Sequence, residues 1–153
     1  MSDARGRRST VGAETPARLR EGVKALASTG TSVLLVKERH SDGDVFWTLP
    51  GGGLRAGESR IEGLQRELRE ELGCDIVATD RATTMVYAHH SQDVVSLYHT
   101  FQCLLLSEVT PARSHGILEC RWVSPTDLPP ATLPQVRTAV HSVLGGPSEQ
   151  STH

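Results

Sequence analysis

Three glutamates, Glu67, Glu70 and Glu71, stand in an E-x-x-E-E run before Leu72. On an ideal helix advancing about 100° per residue they fall within an arc of roughly 100°, so they share a face. Ile61, Leu64, Leu68 and Leu72 gather on a neighbouring arc of about 80°, roughly a quarter-turn away. Such a helix buries its aliphatic stripe and turns its carboxylates into an adjoining cleft. Like charges at i,i+3 and i,i+4 destabilise a helix by about 0.2–0.5 kcal/mol per pair, so the crowding asks for a cation. An all-oxygen donor set favours magnesium, manganese or calcium over zinc or copper, and magnesium commonly keeps waters and bridges substrate phosphates. Gly63, one turn before Glu67, costs about 1 kcal/mol relative to Ala inside a helix and reads as room for a ligand. A solvated acidic face laced by Arg66 and Arg69 is the competing reading, and for a bare E-x-x-E-E it is the stronger one.

The sequence just upstream changes that balance. LPGGGLRAGES brings consecutive glycines to the end of a strand, where backbone that tolerates positive φ approaches a ligand closely. Such a loop offers carbonyls to a cation and amides to a phosphate. The whole segment Gly52 to Cys74 resembles the Nudix box, G-x(5)-E-x(7)-R-E-U-x-E-E-x-G-U, where U is aliphatic. Gly52, Glu58, Arg66, Glu67, Leu68, Glu70, Glu71 and Gly73 fall in register, and only the last position departs, with Cys74 for Ile, Leu or Val. Cysteine behaves as a small hydrophobe when buried, so the departure costs the resemblance little. A looser likeness to the rest of a Nudix domain runs from about Gly22 to Leu144.

The resemblance implies an α+β fold, an α/β/α sandwich with a mixed sheet between helices, and metal-dependent cleavage of a diphosphate linkage. Carried over by position, Glu67 and Glu71 are the principal ligands of Mg2+ or Mn2+, Glu70 is a further ligand or water contact, and the Gly51 carbonyl completes the inner set. These three glutamates carry the catalysis. Glu58 pairs with Arg66 and fixes the loop against the helix. The general base is a carboxylate: Glu71 is one candidate, and Glu119 or Glu108 from the later loops are others. Lys37 and Arg39, leaving a strand towards the glycine loop, are candidate phosphate contacts, and Glu119 is a candidate substrate contact.

Substrate identity is less legible. His89, His90 and His99 have no metal-binding spacing and are more often satisfied structural residues on strands. No proline near His89 suggests ADP-ribose, no S-Q-P-W-P-F-P run suggests NADH, and Tyr87 misses the spacing associated with dinucleoside polyphosphates. A nucleoside triphosphate or nucleotide sugar remains as the small nucleotide-like diphosphate substrate. Two alternatives stand beside it. One is a non-catalytic Nudix-like nucleotide-binding or regulatory domain, which the retained box glutamates disfavour. The other is an RNA 5′-end pyrophosphohydrolase, which 4% aromatics and a net charge of -2 disfavour.

The elements that position these residues fit one domain of 153 residues. Sixteen basic residues against 18 acidic ones argue against general nucleic-acid binding. Cys74, Cys103 and Cys120 form no C-x-x-C pair, so a reduced, cytoplasmic setting is expected, and no apolar run suits a membrane span. Residues 1–17 and 146–153 read as tails without period, leaving 18–145 as the Nudix domain. GVKALAS and SVLLVKE read as a hairpin. A helix is expected from Ser59 to Leu72, ended by Gly73, and DIVATD, TTMVYAHH, VVSLYHTFQCLLLS and ILECRWVS read as strands. A last helix spans about 133–144. The resemblance is also compatible with a homodimer.

Overall fold

The two apolar runs near the N-terminus become β1 (Arg18–Ala27) and β2 (Val33–Arg39), buried on both faces over residues 22–27 and 33–36. Val23, Ala25 and Ala27 of β1 join Leu34 and Val36 of β2 in one core layer, whereas Leu26, Val33 and Leu35 join a second. A strand with no wet face needs no polar alternation, which is why these runs read as nearly continuous apolar sequence. The computed structural model describes residues 18–89 and 93–146; the segments 1–17, 90–92 (with His90) and 147–153 lie outside the described residues. Gly146, assigned above to the C-terminal tail, is buried.

The other strands are β3 (Val45–Thr48), β4 (Gly51–Gly53), β5 (Ile76–His89), β6 (Val94–Leu105) and β7 (Ile117–Val123); the helices are α1 (Arg60–Leu72) and α2 (Pro134–Leu144). They build a four-stranded sheet in the order β4-β1-β6-β5 and a three-stranded sheet in the order β3-β2-β7. In the larger sheet β1 and β6 pair in parallel, from Arg18↔Val94 to Ala27↔Cys103, while β1–β4 and β5–β6 are antiparallel, so this sheet is mixed.

The expected hairpin of β1 and β2 does not form. The Thr29 amide donates to the Ser32 carbonyl at 2.9 Å and one bridge joins Ser28 to Val33, but beyond it the strands enter different sheets. Turn chemistry is a local signal, and here it was outweighed by pairing with strands remote in sequence. The two expected strands over residues 76–80 and 83–89 likewise fuse into the single strand β5, which absorbs its polar middle through shifts in pairing between Ala78 and Asp80 and between Arg81 and Thr83.

Helix α1 begins where expected. Ser59 Oγ accepts the Glu62 amide at 3.1 Å and Glu62 Oε1 accepts the Ser59 amide at 3.0 Å, a reciprocal cap. Gly73 ends it in the left-handed conformation at φ 61°. Leu64, Leu68 and Leu72 are fully buried, each contributing about 1.5–3 kcal/mol. Ile61 departs from the expected stripe: it is 37% exposed in the first turn and belongs to neither core cluster. Gly63 also departs from its reading, because a side-chain carbon there would come 2.3 Å from Leu54 Cδ2. The space serves Leu54 of the preceding loop, not a ligand.

Helix α2 covers the second core layer with Val136, Ala139 and Val140, against Trp47, Leu49 and Met85. The two helices thus flank the strands, giving an α+β sandwich. Among the described residues no helix is long and apolar enough to cross a membrane.

Candidate active site

The site is assembled at Gly51, where β4 lies against β1 and faces the end of α1. Gly51 has φ 142°, and a side-chain carbon on it would fall 2.1 Å from the Val23 carbonyl oxygen, so the close approach requires glycine. Its amide donates to Glu71 Oε1 at 3.0 Å, and its carbonyl accepts from Lys24 Nζ at 3.4 Å. At the neighbouring Gly52 a side-chain carbon would lie 2.7 Å from the Glu67 carboxyl carbon. The bare backbone of β4 therefore leaves Glu67 room to lie across it.

On one flank Arg66 gathers the acidic groups. Its Nε donates to Glu58 Oε2 at 2.6 Å and its Nη2 to Glu58 Oε1 at 3.0 Å. Nη1 donates to Glu67 Oε2 at 3.0 Å and to Glu70 Oε1 at 3.1 Å, while Nη2 also reaches the Gly53 carbonyl at 3.0 Å. Glu70 accepts a second bond from Arg55 Nη2 at 3.1 Å. The Arg66 guanidinium and the Arg55 amide hold the Glu58 carboxyl down to about 2. This planar fork ties loop, strand and helix together.

On the other flank Glu71 is 7% exposed, and burial pushes its carboxyl up to about 8, against the pull of Lys24 and the Gly51 amide. Lys24 is 6% exposed; burial disfavours its charge, but Tyr98, Glu38, Glu71 and Glu67 together outweigh that and leave the ammonium more basic than usual. A cavity of about 340 Å³ opens here, with Gly51 to Gly53 and Glu71 on one side. Arg20, Lys24 and Arg39 give it positive charge, and Phe46, Tyr87 and Tyr98 give it aromatic walls. The arrangement can receive a phosphate chain with a planar group attached.

The structure bonds Glu71 to the Gly51 amide, lays Glu67 across Gly52 and ties both Glu67 and Glu70 to Arg66; of the three glutamates Glu71 borders the cavity. Arg39 borders the cavity, but Lys37 and Glu119 do not. Those two are paired in register on β2 and β7, and Glu119 accepts Arg121 Nη2 at 2.7 Å with its side chain 41% exposed. Glu38 and Arg39, the last two residues of β2, both border the cavity, whereas Lys37 just before them does not. Glu108 is exposed and outside the cavity wall. His99, 4% exposed, is held between Arg81 Nη2 at 2.8 Å and Glu21 Oε2 at 3.0 Å, and the His89 side chain is outside the described residues.

Sequence reasoning missed Lys24, Arg20, Glu38 and the aromatic walls. Lys24 had a visible signal: it is the lone charge inside the apolar run V-K-A-L-A, the part of β1 that is buried on both faces. Among the described residues no three acidic, histidine or cysteine side chains converge into a ready-made metal cage. The donor set nevertheless fits a hard divalent cation, because Glu67, Glu71 and the Gly51 carbonyl are all oxygen donors and that carbonyl already accepts a cationic group, Lys24.

Comparison with known proteins agrees with this geometry. A nucleoside triphosphatase, NudI, from Escherichia coli O17:K52:H18 is 33% identical over 91 residues, covering 54% of this chain and 64% of that protein. The chain thus spans less than two thirds of the length of this curated relative. A MutT NUDIX hydrolase from Burkholderia pseudomallei superposes with a TM-score of 0.75 at 21% identity, covering 82% of this chain and 98% of the other. A MutT protein from Methanosarcina mazei Go1 does so at 0.71 and 20% identity, covering 90% and 98%. These two likenesses establish the fold. The family model described as the NUDIX domain matches residues 18–142, and the chain therefore belongs to the Nudix family.

Proposed function

We propose that this chain, through its domain at 18–145, is a magnesium- or manganese-dependent pyrophosphohydrolase that lets water cleave a diphosphate linkage in a nucleoside triphosphate or nucleotide sugar. Nudix hydrolases generally use divalent metal ions. The observation that carries the reading is the buried Glu71 carboxyl, bonded to the Gly51 amide at the edge of a cavity whose wall includes Arg20, Lys24 and Arg39. A solvated acidic face would not bury a glutamate there, since an unpaired buried charge costs several kcal/mol.

Glu67, Glu71 and the Gly51 carbonyl would hold the cation, with Glu70 joining directly or through water. Such a cation supplies charge neutralisation at the diphosphate and a lower pKa for bound water. Arg20 and Arg39 border the cavity with guanidinium forks that suit phosphate oxygens. Phe46, Tyr87 and Tyr98 offer faces on which a base can stack. Glu71, beside the cation, is also one candidate for the base that takes the proton of the attacking water. The 33% identical nucleoside triphosphatase favours triphosphates over sugars as substrate. Three free cysteines, two of them buried, suit a cytoplasmic setting.

The test is a panel of nucleoside triphosphates and nucleotide sugars incubated with Mg2+ or Mn2+, with products resolved chromatographically. Metal-dependent release of a nucleoside monophosphate, abolished by chelator, is the expected result. Thermal stabilisation by the same compounds with no product under any condition would overturn hydrolysis in favour of a binding module.

A further inference from the structure

Lys24 differs from the other cations of the site. Arg20 and Arg39 border the cavity from strand ends, whereas Lys24 projects from the buried middle of β1, between Val23 and Ala25, both fully buried. Its Nζ lies 3.4 Å from the Gly51 carbonyl oxygen and 4.8 Å from the centre of the Tyr98 ring. Glu38, Glu67 and Glu71 all draw on its charge. A buried ammonium is costly unless nearby dipoles and opposite charges replace its water, and here those replacements are the groups that suit a divalent cation. The carbonyl has a cation on it already, attached to the protein by a flexible four-carbon stem.

We propose that Lys24 is a displaceable internal counter-ion, holding the Gly51 carbonyl and its carboxylate neighbours until a divalent metal takes its place, and so setting how tightly the site binds metal. The inference rests on the metal-dependent reading above. An ammonium on the Gly51 carbonyl and a divalent ion at the same oxygen repel each other strongly at such separations. The ammonium must therefore leave the oxygen and move into the cavity when metal binds. Lys24 is a positioning residue in this account, because it acts through the ligands and not on the reacting atoms. A merely structural lysine predicts the opposite effect: its removal would loosen β4 against β1 and weaken metal binding.

Titration calorimetry with Mn2+ at one fixed pH, on the full chain and on Lys24→Met, Lys24→Gln and Lys24→Arg, separates the two. The neutral variants are expected to bind Mn2+ about tenfold more tightly or better, and Lys24→Arg to stay near the parent chain. If Lys24→Met is too unstable to purify, Lys24→Gln carries the same expectation with a polar side chain. Unchanged or weaker affinity in a folded neutral variant overturns the inference while leaving the proposed function standing. A parent chain that binds no Mn2+ overturns both.

Discussion

Glu58 and Glu71 flank the same junction of glycine strand and acidic helix, yet their carboxyls are driven in opposite directions. Arg66 grips Glu58 through Nε at 2.6 Å and Nη2 at 3.0 Å and holds it down to about 2. Glu71 has the Gly51 amide at 3.0 Å and little water, and burial pushes it up to about 8. The difference lies in surroundings, not in residue type: a guanidinium fixes one carboxylate as a strut, and exclusion of water leaves the other ready to exchange a proton or meet a cation. Glu67 and Glu70 lie between, tied to Arg66 yet on the same helix as Glu71.

Breaking the junction itself should have the largest effect on stability. In Gly51→Ala the added carbon meets the Val23 carbonyl oxygen at 2.1 Å and the backbone is left at φ 142°. Neither backbone can give way cheaply, so urea unfolding is expected to report a loss of about 3 kcal/mol or more. Breaking only the strut is milder. Arg66→Met removes the shared partner of Glu58, Glu67 and Glu70, and a Tm lower by several degrees is expected together with slower turnover, read by calorimetry and by the substrate panel.

The smallest effect is a pH dependence. Glu58 binds its proton less readily in the folded chain than at its usual 4.5, so its stabilisation is fully present above about 4.5 and is lost as pH falls towards about 2. Urea midpoints measured at pH 6, 4 and 3 should fall more steeply for the parent chain than for Glu58→Gln; parallel curves would remove Glu58 as a strut.

The junction was legible to the degree that its signals are local. Ser59 and Gly73 announce the ends of α1, and the leucine and glutamate spacing announces its two faces, because capping and helical period act within a few residues. Strand pairing is different. β1 takes Gly51 to Gly53 on one side and Val94 to Cys103 on the other, so neither the broken hairpin nor the meeting of Lys24 with Gly51 follows from neighbouring sequence. The same limit applies to Lys37 and Glu119: pairing between β2 and β7, remote in sequence, sets them opposite each other and outside the cavity wall. Gly63 was legible as a glycine needing room, but what fills that room, Leu54, depends on the path of the loop.

The central claim is that Glu71 is buried for chemistry and not for structure. Turnover of the best substrate under saturating Mg2+, measured alongside Tm for the parent chain and Glu71→Gln, tests it directly. A rate lower by about 100-fold or more with Tm unchanged or raised is predicted, because the amide keeps the shape of the side chain and removes a buried ionisable group. A rate within a few-fold of the parent chain would contradict the account.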